Sequence, residues 1–165
     1  MTTKVVLVEG TSDKVAVETL AARRGRDLAA EGVAVVPIGG AHAVARYVER
    51  FGDVPVTGLC DAGEAAAFER ALSEGFFVCD VDLEDELIRA LGVDTVLRIV
   101  EEHGDLRSFR TLQKQSAWRG RATHEQLRRF MGSGGRRKIR YARFLVEALD
   151  PQQVPAPLAG LLAGV

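Results

Sequence analysis

The sequence lacks the features of secreted, membrane-spanning and disulfide-rich proteins. Only two of its 165 residues are cysteines, Cys60 and Cys79, and neither their number nor their spacing fits a zinc site or a disulfide framework. No apolar run approaches the ~20 residues of a membrane span, and the N-terminus does not show the order of a signal peptide. We therefore expect a cytoplasmic protein with two reduced, buried thiols.

Motifs for ATP binding and histidine-based catalysis are also missing. The segment GTSDK at residues 10–14 does not have the G-x-x-x-x-G-K-[ST] spacing of a phosphate-binding loop. The three histidines, His42, His103 and His124, are scattered along the chain, and we assign none of them to catalysis. Any use of ATP would therefore depend on a partner chain.

Charge is abundant and unevenly distributed. Residues 1–103 hold 10 Lys and Arg against 19 Asp and Glu, whereas residues 104–143 hold 12 basic and 2 acidic residues. A concentrated basic segment attracts polyanions even when the net charge of the whole chain is only −1. The sequence thus combines an acidic body with a basic segment.

Short β-branched runs alternate with helical segments in the first half of the chain. The predicted strands are residues 4–8, 33–38, 54–60 and 76–79, and the helices between them are residues 12–23, capped by Ser12, 41–51 and 64–73. This alternation predicts right-handed crossovers and an α/β fold with about four parallel strands flanked by helices. Only helices are predicted from Leu83 to Leu149, and an irregular tail from Pro151.

Acidic residues follow three of the predicted strands. They are Glu9, Asp61 and Asp80, with Asp82 and Glu84 shortly afterwards. Ligands of parallel sheets bind beyond the carboxyl ends of the strands, and carboxylates gathered there suit Mg²⁺ or Mn²⁺. The alternative is that Asp61 and Asp82 only cap helices; this explanation is weaker for Glu9, since glutamate is a poor cap.

Three motifs carry a resemblance to a known family. VLVEGTSD at residues 6–13, GLCDAGE at 58–64 and CDVDLEDEL at 79–87 resemble the topoisomerase-primase (Toprim) domain, most closely that of OLD-family (overcoming lysogenization defect) endonucleases. The resemblance covers residues 4 to about 91 and implies a Toprim, Rossmann-like fold that cuts phosphodiesters with Mg²⁺ or Mn²⁺. GSGGRRKIRYA at residues 132–142 resembles the helical C-terminal extension of those nucleases, in which a lysine assists near the scissile phosphate.

The resemblance also implies a division of the chain. Residues 1–92 would form the Toprim domain, 93–150 a basic helical extension packed on it, and 151–165 a proline-rich tail.

The resemblance assigns roles to individual residues by their positions in the motifs. It implies metal ligands at Glu9, Asp13, Asp61 and Glu84, and catalytic roles for Glu9 and Lys138. The first motif matches the family most specifically.

The second motif departs from the family pattern. The family has a second acid two residues after the first, where this chain has Gly63, and Glu64 is the predicted substitute as a metal ligand. In the third motif Glu84 is preferred because it lies in line with Ile88 and Leu91 on the packed face. The same helical spacing predicts Asp85 toward solvent, and Glu86 is interpreted as a surface charge.

The basic segment is predicted to contact nucleic acid, most simply DNA. The predicted phosphate contacts are Arg119, Arg121, Arg128, Arg129, Arg136, Arg137 and Arg140. Two alternatives remain open: the segment folds back onto the acidic body, or it is an ordinary solvated helix face. Trp118 could stack on a base, although a lone tryptophan among helices usually serves packing.

Two functions therefore follow from the sequence. The first is a metal-dependent Toprim/OLD nuclease that acts on DNA. The alternative is a non-catalytic nucleic-acid or nucleotide-binding subunit that works with a partner ATPase, since OLD nucleases carry an ATPase domain for which this chain has no room. A homodimer is compatible with both functions, and neither involves a membrane.

Overall fold

Four short strands form one parallel sheet in the order β2-β1-β3-β4 in the computed structural model, which describes residues 1–72 and 75–165. The strands are β1 (Lys4–Val8), β2 (Val33–Pro37), β3 (Val56–Asp61) and β4 (Phe76–Cys79). At the carboxyl end of the sheet Val8 lies opposite both Pro37 and Leu59, so β1 and β3 end side by side. The predicted α/β fold is confirmed.

Helices flank the sheet and form the second half of the chain. They are α1 (Thr11–Arg23), α2 (Val44–Phe51), α3 (Ala65–Ala71), α4 (Leu83–Leu91), α5 (Val93–Glu102), α6 (Leu106–Lys114), α7 (Thr123–Gly132), α8 (Gly135–Ala148) and α9 (Ala156–Ala163). Short 3-10 turns precede α2 and α3. The predicted end of the third helix, Ser73, lies outside the described residues.

The first helix begins differently from the prediction. Its N-cap is Gly10, while Ser12 lies buried inside the first turn, so the prediction of Ser12 as the cap is wrong. The reason is Asp13, whose Oδ2 accepts a hydrogen bond from the Gly10 backbone N–H at 2.9 Å. A side chain three residues along the helix thus satisfies the backbone N–H of the cap residue, which is the half of a capping box that does not require a side chain at the cap.

Alternate residues of β1 pack into two different hydrophobic cores, one on each face of the sheet. Val5 and Leu7 pack with the α2 and α3 side of the sheet, whereas Val6 and Val8 face the core that includes the later helices. Because side chains alternate between the two faces of a strand, a strand buried on both faces is apolar throughout. One of these cores therefore runs from the sheet into the helical extension.

The C-terminal segment is helical, so the prediction of an irregular tail is wrong. A 3-10 turn at Pro151–Gln153 leads into α9, which buries Leu158 and Leu161 against the sheet side of the core. The prolines are tolerated because they stand in first turns, where a missing backbone N–H costs nothing. Arg26 also donates from Nη1 to the carbonyl of Leu162 at 2.8 Å, which ties α9 to the loop after α1.

Both cysteines are free and buried, as predicted. Among the described residues, no helix combines the length and the apolar character needed to cross a membrane.

Candidate metal centre and adjoining cleft

Two acids stand side by side where the central strands end. Glu9 directly follows β1, and Asp61 is the last residue of β3. The backbone N–H of Asp61 donates to Oε1 of Glu9 at 2.8 Å, which fixes the Glu9 carboxylate across the two strands. The predicted convergence of these acids at one edge of the sheet is thus present in the structure.

Two further acids approach this pair from the helices. Asp13 comes from the first turn of α1, and burial raises its pKa to about 6, with Glu84 adding to the rise. Glu84 lies in the first turn of α4, and its side chain is only 14% exposed. Carboxylates from four separate segments therefore share one electrostatic field.

The pKa values of the central pair reflect this crowding. Burial raises the pKa of Asp61 to about 8, and the charges of Glu9, Asp13, Asp82 and Glu84 add to the rise. Burial also raises the pKa of Glu9, despite the hydrogen bond from Asp61. Like charges held away from water favour the protonated form, so the Glu9 and Asp61 carboxyls together retain a proton toward neutral pH unless a cation binds.

Lys138 supplies a positive charge to this cluster. Its Nζ, from α8, lies 3.4 Å from Oε1 of Glu84. Burial lowers the pKa of Lys138, but the charges of Glu84, Asp13 and Asp61 outweigh burial and the net shift is upward. The lysine of the predicted extension is thereby brought to the predicted acids, although more than 100 residues separate it from the first motif.

The donor set has the chemistry of a site for a hard divalent cation. All of its ligand atoms are carboxylate oxygens, the type that Mg²⁺ and Mn²⁺ prefer. Within residues 1–72 and 75–165, however, no three Asp, Glu, His or Cys side chains are already arranged as a coordination shell. The residues fit the ion by the chemistry of their donor atoms and by the mutual repulsion that a cation would relieve, and their side chains would have to move to form the shell.

Glu64 and Gly63 follow β3 in the 3-10 turn. The charge of Glu64 contributes to the raised pKa of Glu9, so this acid lies near Glu9. A Cβ placed on Gly63 would meet no atom within 4 Å, so the missing second acid of the motif is not excluded by space. Asp61 makes no capping hydrogen bond from its side chain, so its carboxyl does not serve to begin the helix.

The first turn of α4 corrects two expectations. Asp82 caps this helix, accepting from the N–H of Asp85 at 2.8 Å, as the capping alternative predicted. Asp85 is only 7% exposed, so its predicted orientation toward solvent is wrong. It accepts from Arg89 Nε at 2.7 Å and lies 2.6 Å from His124 Nε2. The helix α7 covers this face of α4, and local periodicity gives no signal of that contact.

Glu86, interpreted as a surface charge, is also largely covered. Its side chain is 13% exposed, and it accepts a hydrogen bond from the backbone N–H of Asp80 at 2.9 Å. It also pairs with Arg89 at 3.2 Å. These contacts fix the turn that joins β4 to α4 and so position Glu84.

Part of the basic segment folds back onto the acidic body. Arg128 donates from Nε to Asp82 of the acidic body at 2.7 Å, whereas Arg140 lies 3.6 Å from Asp105, an acid of the basic segment itself. Arg137 packs its guanidinium over the ring of Phe130 at 4.0 Å. Three of the seven arginines predicted to contact phosphate are thus already engaged by the protein, one of them through packing.

The other four predicted arginines lie on the surface. Arg119 and Arg136 are exposed and have no carboxylate within ion-pair distance in the described part of the chain. Arg121 and Arg129 place their guanidinium carbons 5.1 Å and 5.8 Å from the centre of the Trp118 ring. These surface positions are compatible with phosphate contacts, so the nucleic-acid contacts stay a prediction.

A cleft of about 370 Å³ adjoins the acid cluster. Its lining includes Glu84 and Lys138 from the cluster and Trp118, Arg121 and Arg129 from the basic segment. Sequence reasoning did not anticipate that this tryptophan and the candidate catalytic residues border one cavity, because the two are joined only by the packing of α7 and α8 on α4.

Comparison with known proteins agrees with this fold. Residues 1–62 match the family model described as "Overcoming lysogenization defect protein-like, TOPRIM domain". The C-terminal region of the Burkholderia pseudomallei OLD protein superposes with a TM-score of 0.69 at 18% identity, over 99% of this chain and 96% of that chain.

The C-terminal region of the Xanthomonas campestris pv. campestris OLD protein superposes with a TM-score of 0.70 at 23% identity, over 98% of this chain and 91% of that chain. None of the curated proteins matches the sequence. At these identities the solved structures show a common fold, which includes the helices after the sheet. The resemblance inferred from the three motifs is confirmed.

Proposed function

We propose that this chain, which carries a Toprim domain similar to that of OLD proteins, hydrolyses phosphodiester bonds of DNA with Mg²⁺ or Mn²⁺. The supporting observation is the meeting of Glu9, Asp13, Asp61 and Glu84 with Lys138 at the carboxyl edge of the sheet. Such crowded, mutually perturbed acids are typical of functional sites.

The candidate ligands divide by their place in the fold. Glu9, Asp61 and Asp13 would hold one ion and Glu64 and Glu84 a second. When bound, the ions would supply an activated water and stabilise charge on the leaving oxygen.

The protein's own groups would prepare this chemistry. The hydrogen bond from Asp61 N–H keeps Glu9 oriented before any ligand arrives. Asp61 would release its proton to solvent on cation binding, because ligands must be deprotonated. Lys138, held beside Glu84, would stabilise the charge that develops on the phosphate oxygens.

A second function is favoured by the second motif. Gly63 stands where the family has an acid, and the described residues hold no preformed three-ligand shell. A chain that binds nucleic acid or a nucleotide without cutting, alongside a partner ATPase, would have these properties. A homodimer remains compatible with either function.

Supercoiled plasmid incubated with Mg²⁺ or Mn²⁺ distinguishes the two functions. We expect nicking that EDTA and Glu9→Gln reduce to background. Glu49→Gln, which neutralises an exposed acid on α2, is the matched control and should nick at the wild-type rate. Salt-sensitive binding without cleavage would support the binding subunit, and undiminished nicking by Glu9→Gln would remove Glu9 from the site.

Calorimetric titration with Mn²⁺ gives a readout that does not depend on activity. The wild-type protein should bind Mn²⁺ and release protons, and Glu9→Gln should bind more weakly. Equal Mn²⁺ affinity in both proteins would contradict the assignment of Glu9 as a ligand.

A further inference from the structure

The cleft beside the acid cluster has the size of a site for one small ligand. Its volume of about 370 Å³ lies at the lower end of the ~300–1,000 Å³ typical of ligand pockets. Glu84 and Lys138 belong to both the cleft and the acid cluster. A group bound in the cleft would therefore lie next to the proposed cleavage site.

Trp118 gives the cleft an aromatic wall whose backbone is fixed. The backbone N–H of Trp118 donates to the backbone carbonyl of Gln115 at 2.9 Å, and Nε2 of the buried Gln126 donates to the backbone carbonyl of Trp118 at 2.8 Å. The ring itself is only partly buried and borders the cavity. An anchored, accessible indole ring is the usual platform for stacking a nucleobase.

Two cations beside this ring are available to an anionic ligand. The side chain of Arg121 is 57% exposed, and its ion pair with Glu125 is long, at 4.0 Å. Arg129 is exposed and has no carboxylate within ion-pair distance among residues 1–72 and 75–165. Either guanidinium can turn from the Trp118 ring to a phosphate without breaking a buried contact.

We propose that this cleft binds one unpaired nucleotide, with its base on Trp118 and its phosphate at Arg121 or Arg129. The inference deepens the proposed function and rests on it, since it makes the substrate a strand that is single-stranded or frayed beside the cleavage site. Bases inside a duplex are stacked on both faces and cannot offer a face to the ring unless the nucleotide is unpaired or flipped out.

Trp118 is the only tryptophan of the chain, so its fluorescence reports stacking directly. The full chain is titrated in EDTA, where no cleavage is expected, with a short oligo(dT), with the same oligonucleotide in a duplex, and with heparin as a polyanion without bases. We expect saturable quenching by oligo(dT) and little quenching by the other two ligands. Equal quenching by duplex or by heparin would overturn the proposal.

Variants separate stacking from general charge. Trp118→Leu should weaken binding of a labelled oligo(dT), measured by anisotropy, by roughly 5- to 150-fold, the equivalent of ~1–3 kcal/mol for one stacked base. Trp118→Phe, which keeps an aromatic ring, should lose less. Arg107→Ala removes an exposed cation of α6 outside the cleft and is the control for lost charge alone.

Because Trp118 also packs against the core, thermal unfolding checks each variant. If Trp118→Leu does not fold, Trp118→Phe and the quenching of the wild type decide the question. Equal affinity of Trp118→Leu and Arg107→Ala would refute the stacking role. Nicking without quenching would refute nucleotide binding in the cleft but not the nuclease activity. Quenching without nicking would refute the nuclease activity but not nucleotide binding in the cleft.

Discussion

Asp61→Asn should stabilise the protein in the absence of metal. The pKa of Asp61 is raised to about 8 in the folded state by burial and by the neighbouring carboxylates. An unfolded chain loses this proton near pH 4, whereas the folded chain keeps it, so the stability of the wild type falls as the pH rises from about 4 to about 8. Asparagine has nearly the same shape and no charge, so it should remove the part of this decline that Asp61 causes and leave the smaller part caused by Asp13 and Glu9.

The size of the effect follows from the shift. A rise from 3.8 to about 8 corresponds to at most ~6 kcal/mol, at ~1.4 kcal/mol per pH unit. Asp61 is only partly buried and titrates together with Glu9, so solvent screening and coupling reduce this figure to about 2 kcal/mol. For a chain of this length that equals roughly 4–8 °C in melting temperature.

The assay is thermal unfolding in EDTA at about pH 4, near the unfolded pKa of Asp61, and at about pH 8.5. Wild type and Asp61→Asn should be close at the lower pH, and the variant should melt higher at the upper pH. Mg²⁺ added at pH 8.5 should raise the melting temperature of the wild type and have little effect on the variant, because a ligand stabilises only the state that binds it. If both proteins show the same pH dependence, the acids do not crowd one another, and the reasoning for a cation site is refuted.

Three further changes test the packing and the site. Gly58→Ala should lower the free energy of unfolding in urea by about 1–3 kcal/mol, because the new Cβ would lie 2.7 Å from the fully buried ring of Phe68. The control is Gly63→Ala, whose Cβ enters open space and should change stability little. Equal losses in the two variants would contradict this packing. Gly63→Asp, which restores the second acid of the motif, should raise the affinity for Mn²⁺ in calorimetry, and an unchanged affinity would place this position outside the site. Lys138→Met should slow plasmid nicking by about 10²–10³-fold. The melting temperature should change little, because the lysine side chain is 41% exposed beside Glu84. A wild-type nicking rate would exclude Lys138 from the chemistry.

The strands and the meeting of the acids could be predicted because both follow from local pattern and a topological rule. Val5 to Val8 read as a buried strand, and Glu9 and Asp61 had to meet once β1 and β3 were parallel neighbours. The same rule does not place helices that pack from a distance. Asp85 is buried by α7, which begins about 40 residues later in the chain. The helical period of α4 alone therefore predicted, wrongly, that Asp85 faces solvent.

The C-terminal helix was missed for a different reason. Prolines at positions 151, 155 and 157 suggested irregular chain, yet proline is favoured in the first turn of a helix. What decides the structure is the burial of Leu158 and Leu161 against the rest of the core. Tertiary packing of this kind outweighs a local signal, and a single sequence does not reveal it.

The uneven charge of the sequence has a physical outcome that none of its three interpretations describes alone. Among the described residues, Arg128 pairs with Asp82 and Lys138 with Glu84, which joins the basic segment to the acidic body, whereas Arg140 pairs with Asp105 inside the basic segment itself. Partly exposed pairs contribute only ~0–1 kcal/mol each, whereas the extension is held by buried apolar residues such as Leu145 and Val146. The cations can therefore change partners at little cost to the fold. Under the proposed function, Lys138 would turn from Glu84 to the phosphates of a bound strand, while Arg121 and Arg129 beside Trp118 line the adjoining cleft.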